Sequence, residues 1–162
     1  MIEILSAIAI AAFAATMQPT PICDNIKKKL TSKQLANAKT IEIVMRGFGI
    51  KPIAIKAAIV NAYCESGLDA KAVGDSGHSG GLFQLSDFGA GQGMSNLSKL
   101  NPWVNTATIV KRELIGKSAL TVIQSNSTVE GATKDFCILV ERPKDKQGQA
   151  AHRAQIASSF FA

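Results

Sequence analysis

Residues 52–66 read PIAIKAAIVNAYCES and run directly into GLDAKAVGDSGHSGGLFQL. Ile53, Ile55, Ala58, Ile59, Ala62 and Tyr63 fall on more than one side of a 3.6-residue period. A helix apolar on several sides has to be surrounded, so this one predicts the central helix of a domain. Pro52 suits its first turn, where a missing N–H costs nothing. The segment after it carries five glycines between residues 67 and 81 and is too polar for a helix. It predicts a loop or short hairpin. Glu65 stands at the junction, a single carboxylate between a buried helix and a glycine-rich wall.

The rest of the chain fits around that helix. With 162 residues there is room for one domain with a sizeable core. Apolar residues make up 46% and aromatics only 6%, so alanine supplies much of the interior and favours closely packed helices. A short basic helix is expected over 24–30, capped by Asp24 or Asn25. Thr31-Ser32 caps a second helix with Leu35, Ala38, Ile41, Ile43, Val44 and Met45 along its stripe, ended by Gly47 or Gly49. Helices follow near 95–100 and over 101–115, the latter with Asn101 as cap, Pro102 in the first turn and Trp103, Ala107, Val110 and Leu114 inward. Three more are expected at 116–124, 128–139 and 147–161. The predicted fold is mainly α, or α+β when the short β-rich interruption in the middle third is counted.

Residues 4–17, ILSAIAIAAFAATM, form an apolar run too short for the roughly 20 residues that span a bilayer. A signal peptide is disfavoured by the acidic start MIE, because a secretory n-region is basic. A retained apolar helix must be covered, first by a partner chain in an assembly, second by a membrane, third by the chain's own core. The prolines of QPTP at 18–21 break it. The expected division is therefore an appendage at 1–21 and a globular domain at 22–162.

A net charge of +6 favours polyanionic surroundings without choosing among them. No compact basic and aromatic surface points to specific nucleic-acid binding. The one dense run, Lys27-Lys28-Lys29, reads as a solvated face. Cys23, Cys64 and Cys137 are widely spaced, and His78 and His152 are isolated, so no zinc site and no other metal or cofactor is indicated. A Cys23–Cys137 disulfide is conceivable in an oxidising compartment, but free core cysteines are the simpler reading.

A carboxyl group at the end of a buried helix is partly desolvated, and desolvation favours its protonated form. Such a group can act as a general acid, protonating a glycosidic oxygen as positive charge grows on the sugar. Glycines opposite it let backbone amides and carbonyls approach a polar sugar. On the residues alone, a glutamate facing solvent in the last turn explains the pattern more simply.

The ordered set Glu65-Ser66 followed by Gly81-Leu82-Phe83-Gln84 resembles the core motif of the lysozyme-like superfamily, in its goose-type lysozyme and soluble lytic transglycosylase branch. The fuller spelling ESGL…AVGDSGHSGGLFQ is similar to phage tail lysozymes, as is Glu141-Arg142-Pro143 followed by Arg153 and Ala157. The resemblance covers roughly 40–160 and is strong at those two regions. It implies a peptidoglycan glycosidase of a phage virion, cutting the MurNAc-GlcNAc β-1,4 bond in the host periplasm or cell wall to help genome ejection. Other tail or virion proteins would be reached through residues 1–21. Glu65 would be the acid and also the base. Ser66 would hold the helix end, and Ser79, Gly81, Leu82 and Gln84 would line the sugar cleft. Arg142 would support the site by pairing.

Asp75 is the first choice for a second catalytic carboxylate, with Asp69 and Asp87 after it; a turn residue bonding its own backbone explains Asp75 equally well. If one serves, the enzyme is a hydrolase. If none does, the muramic-acid hydroxyl attacks instead and a transglycosylase with an anhydro product results. A tail protein that keeps the fold and binds glycan without cutting it is the rival function.

Overall fold

A computed structural model describes residues 22–162. The expectations for residues 1–21 lie outside the described residues. The chain forms α1 (Ile22–Ile26), a 3-10 turn (Lys27–Lys29), α2 (Ser32–Gly47) and α3 (Pro52–Ser66). A small sheet follows, made of β1 (Val73–Gly74), β2 (Ser79–Gly80) and β3 (Leu85–Ser86). Then come α4 (Asn96–Lys99), α5 (Pro102–Ile109), α6 (Ala119–Gln124), α7 (Val129–Phe136) and α8 (Lys146–Phe161). The mainly α fold with a short β interruption is what the sequence predicts.

Helix α3 is the axis. Ala54, Ile55, Ala57, Ala58, Ile59, Val60, Asn61 and Ala62 are all buried in it. Its alanines leave no bulk between backbones, which lets α2, α6, α7 and α8 all pack on it. Pro52 opens the helix, and Gly67 ends it at φ 64°, donating to Ala62 O and Tyr63 O. Leu68 follows, also left-handed at φ 57° and fully buried, so the chain turns sharply with an apolar anchor beneath the helix end.

Other helix ends follow their caps. Thr31 and Gln34 form a reciprocal capping box on α2, and Asn101 Oδ1 accepts from the amides of Trp103 and Val104 on α5. The expected cap of α1 by Asp24 or Asn25 is replaced by a tertiary one. Buried Glu42 of α2 accepts from Ile22 N (3.3 Å) and Cys23 N (3.1 Å). Trp103 also departs from expectation. It sits half-exposed in the first turn of α5 and outside the core cluster, while Ala107, Val110 and Leu114 are buried. Cys23, Cys64 and Cys137 are free thiols, so the conceivable Cys23–Cys137 bridge is absent.

Two helices widen at their ends. Residues Val110–Ile115 continue α5 as a π-helix, and Cys137–Glu141 continue α7 likewise. Gly116 N reaches Lys111 O (3.0 Å) and Arg142 N reaches Cys137 O (2.9 Å), both five residues back. This widening and the left-handed Ser118 (φ 57°) delay the start of α6 to Ala119. No described helix is long and apolar enough to cross a membrane.

The sheet is antiparallel in order β1-β2-β3, with Val73 opposite Gly80 and Gly80 opposite Leu85. Strands of two residues cannot hold themselves, since even a full hairpin is marginal in water. Fully buried Asn105 of α5 supplies the missing anchor. Its Oδ1 accepts from Phe83 N (3.1 Å), and its Nδ2 donates to Gly80 O (3.0 Å) and Lys99 O (2.8 Å). Gly81 passes beside it at φ 80°, where an added Cβ would meet Lys99 O at 2.1 Å and Asn105 Nδ2 at 2.2 Å. Gly81→Ala should therefore lower unfolding free energy by roughly 2–4 kcal/mol, measured by urea denaturation. A variant as stable as the wild type would contradict this account of the sheet's anchorage.

Candidate active site

Glu65 lies in the last turn of α3, with its side chain 22% exposed. Ser66 beside it joins the helix to the glycine-rich segment. Its hydroxyl is 3.0 Å from Ala62 O and 2.9 Å from Leu82 O, so one proton serves both the helix end and the turn after β2. Gln84, left-handed at φ 45°, closes the same turn by donating to Ala72 O (3.2 Å) and Gly81 O (3.0 Å). These two side chains fix the wall relative to the carboxylate.

Arg153 of α8 reaches Glu65 from the other side. Its Nη2 donates to Glu65 Oε1 at 2.5 Å, and its Nη1 donates to Asn61 Oδ1 at 2.9 Å. Asn61 is in turn held by Ala57 O (2.9 Å) and Thr133 O (3.3 Å). The guanidinium is thus aimed by a fully buried amide one helical turn before its target. Glu65 Oε2 accepts no hydrogen bond from the described residues and is not enclosed. One oxygen is bound and the other is open.

The two π-helical extensions each place an acid nearby. Glu113 is buried and accepts from Arg142 Nη2 (2.5 Å) and Lys117 Nζ (3.0 Å). Arg142 therefore acts by pairing, as expected, and it does so from a left-handed backbone (φ 51°) that ends the second extension. Glu141 has its Oε1 buried without a partner among the described residues. Burial first, then the negative charge of Glu65, holds its carboxyl well above the usual range, while Arg153 and Arg142 pull the other way. The cluster is thus built from Glu65, Glu141 and Glu113 with Arg153, Arg142 and Lys117. Burial also pushes the Cys64 thiol up to about 11, leaving a neutral thiol unsuited to nucleophilic attack near neutral pH.

The acidic candidates on the wall differ in what they already bond. Asp69 accepts from Lys71 N (3.0 Å) and pairs with Lys33 (3.0 Å), and these donors hold it below the usual carboxylate range. Asp87 is bound by Lys99 (2.7 Å) and His78 (3.3 Å), with Lys99 the main cause of its lowered value. Asp75 is exposed on the turn between β1 and β2, left-handed at φ 48°, and takes one hydrogen bond from Ser79 Oγ at 2.6 Å. Among the binding candidates, Ser66 and Gln84 are half-buried at the junction, Ser79 and Gly81 are buried, and the Leu82 side chain is wholly inside the core. Any Leu82 contact with a sugar would have to come from its backbone. A cavity of about 100 Å³ borders the sheet, lined by Val73, Gly77, Ser79, Gly80, Asn96, Lys99 and Leu100; Glu65 does not line it. Among the described residues, no group of three or more His, Cys, Asp or Glu is placed to hold a metal ion.

Because the folded chain binds the Glu141 proton more tightly than the unfolded chain, stability from this group is full at acid pH and falls as pH rises toward the raised value. Glu141→Gln keeps the neutral shape and removes that loss. Its melting temperature should exceed that of the wild type at about pH 8 and approach it at about pH 4. An equal difference at both pH values would contradict a neutral Glu141 carboxyl.

The same two stretches that meet at Glu65, around 65–84 and 141–157, lie within a longer match. The family model for phage tail lysozyme matches residues 36–162. No curated protein and no solved structure matches the chain. On that match over most of its length, the chain belongs to the phage tail lysozyme family.

Proposed function

We propose that the protein is a peptidoglycan glycosidase of a phage virion, cleaving the MurNAc-GlcNAc β-1,4 bond with Glu65 as general acid and base. The observation that carries this reading is the asymmetry of Glu65: Oε1 is fixed by Arg153, while Oε2 accepts no hydrogen bond from the described residues and is not enclosed. A proton on Oε2 can pass to the glycosidic oxygen as the C1–O bond breaks. The oxocarbenium ion that develops is then met either by water or by the muramic-acid C6 hydroxyl, with Glu65 taking the proton back. Asp75 is our choice for a carboxylate that activates water, because it has one hydroxyl partner where Asp69 and Asp87 each pair with a lysine. The basic chain suits an anionic cell wall. We place the enzyme in the tail or interior of the particle, joined to other virion proteins through residues 1–21 and acting in the host periplasm or cell wall during genome ejection.

One observation favours a second reading, in which the protein binds glycan without cutting it: the Arg153–Glu65 contact would also suit a purely structural ion pair. Mass analysis of material released from purified peptidoglycan separates the two. Cleavage should yield soluble disaccharide muropeptides, and a product one water lighter than the hydrolytic one marks an anhydro end. If water is the acceptor, Asp75→Asn should lower the rate by about 10²–10⁴-fold. Binding to the glycan with no released muropeptide would contradict the enzymatic reading.

A further inference from the structure

Three buried side-chain polar atoms have no hydrogen-bond partner among the described residues, Thr133 Oγ1, Arg153 Nε and Glu141 Oε1, and the last two belong to the charged groups around Glu65. Leaving such groups unpaired costs free energy, so a cluster that tolerates both has some other arrangement to satisfy. The donor and the acceptor are complementary, and Glu141 lies within electrostatic reach of both Arg153 and Glu65. The other nitrogens of the guanidinium are committed, Nη2 to Glu65 and Nη1 to Asn61. The neighbouring ionisable groups among the described residues come from four helices. From α3 come Cys64 and Glu65, from the α7 extension Cys137, after it Arg142, from the α5 extension Glu113, and from α8 Arg153. Burial keeps both thiols protonated. Glu113 is held by Arg142 and Lys117.

We propose that Glu65 and Glu141 share one proton across Arg153, with Glu141 holding it at rest and Glu65 receiving it when glycan binds. The O–H bond of Glu141 breaks and its electron pair stays on Glu141 as a carboxylate. The proton forms an O–H bond on Glu65, directly or through one water. Arg153 follows the charge, releasing Glu65 Oε1 and offering its spare Nε–H to Glu141 Oε1. The net charge of the three groups does not change; the negative charge moves from Glu65 to Glu141, and the Arg153 guanidinium that follows it offsets the cost of ionising the less solvated carboxyl. Glu65 then delivers the proton to the glycosidic oxygen. Glu141 touches no substrate in this scheme and is a positioning residue. The inference rests on the glycosidase reading, and it explains how a carboxylate bound to a guanidinium can become an acid.

Two measurements test it together. The first is the pH–rate profile of wild type and Glu141→Gln on purified peptidoglycan. Glutamine keeps the neutral shape but cannot give up a proton, so the alkaline limb should move to lower pH by about one unit or more. That shift lowers the rate at neutral pH about tenfold or more, with recovery on acidification. A merely structural role would lower the rate uniformly, and that result, or an unshifted profile, overturns the proposal. The second is carboxyl carbon NMR of the intact protein. Glu141 should stay protonated where a free glutamate, with a pKa of about 4.3, is ionised. In Glu65→Gln it should titrate lower, because the second cause of its shift is gone. An ionised Glu141 under those conditions overturns the proposal whatever the activity. A wild type that cuts nothing while Glu141 titrates as expected overturns the glycosidase reading itself, and with it the use of the shared proton.

Discussion

The Arg153 guanidinium is the group on which the site depends. Its side chain is only 5% exposed, and a charge taken that far out of water must be compensated by geometry. Asn61 and Glu65, one turn apart on α3, provide that geometry from a single helix face. The ion pair therefore locks α8 to α3 at the place where α3 stops being covered. Deleting Glu65 would strand the buried Arg153 charge, so the stretches around 65 and 153 act as one unit in this fold.

The wall opposite follows a different logic. Three strands of two residues contribute little by themselves, so polar side chains from outside the sheet fix it. Asn105 holds it from α5, Ser66 from the end of α3, and Gln84 from within. The glycine at 81 is needed for close approach, since any side chain would strike Asn105 and the Lys99 carbonyl. The result is a thin wall whose position relative to Glu65 is set by the helix that carries Glu65.

Much of this was legible in the sequence where the determinant is local. Thr31, Asn101 and Pro102, and Pro52 with Gly67 mark helix ends because capping depends on neighbours in the chain. The apolar residues Ile53, Ile55, Ala58, Ile59, Ala62 and Tyr63, falling on more than one side, mark the central helix, and the pairing of Glu65-Ser66 with Gly81–Gln84 marks the junction. What escaped depends on partners far along the chain. Glu42 caps α1 from another helix, Asn105 looks like any helical asparagine, and Trp103 looks inward until α5 is packed. The π-helical extensions leave no periodic signature, so buried Glu113 reads as one more charged residue in KREL. Glu141 stands in a recognisable stretch, but the enclosure of its Oε1 and the influence of Glu65 on it come from converging helices.

The central claim is that Glu65 is the group that breaks the glycosidic bond. Digestion of purified peptidoglycan by wild type and Glu65→Gln, with both proteins shown to be folded, tests it most directly. Glutamine keeps the size and an acceptor for Arg153 but has no proton to give, so the rate should fall on the order of 10²–10⁴-fold. Comparable cleavage by the two proteins would contradict the account.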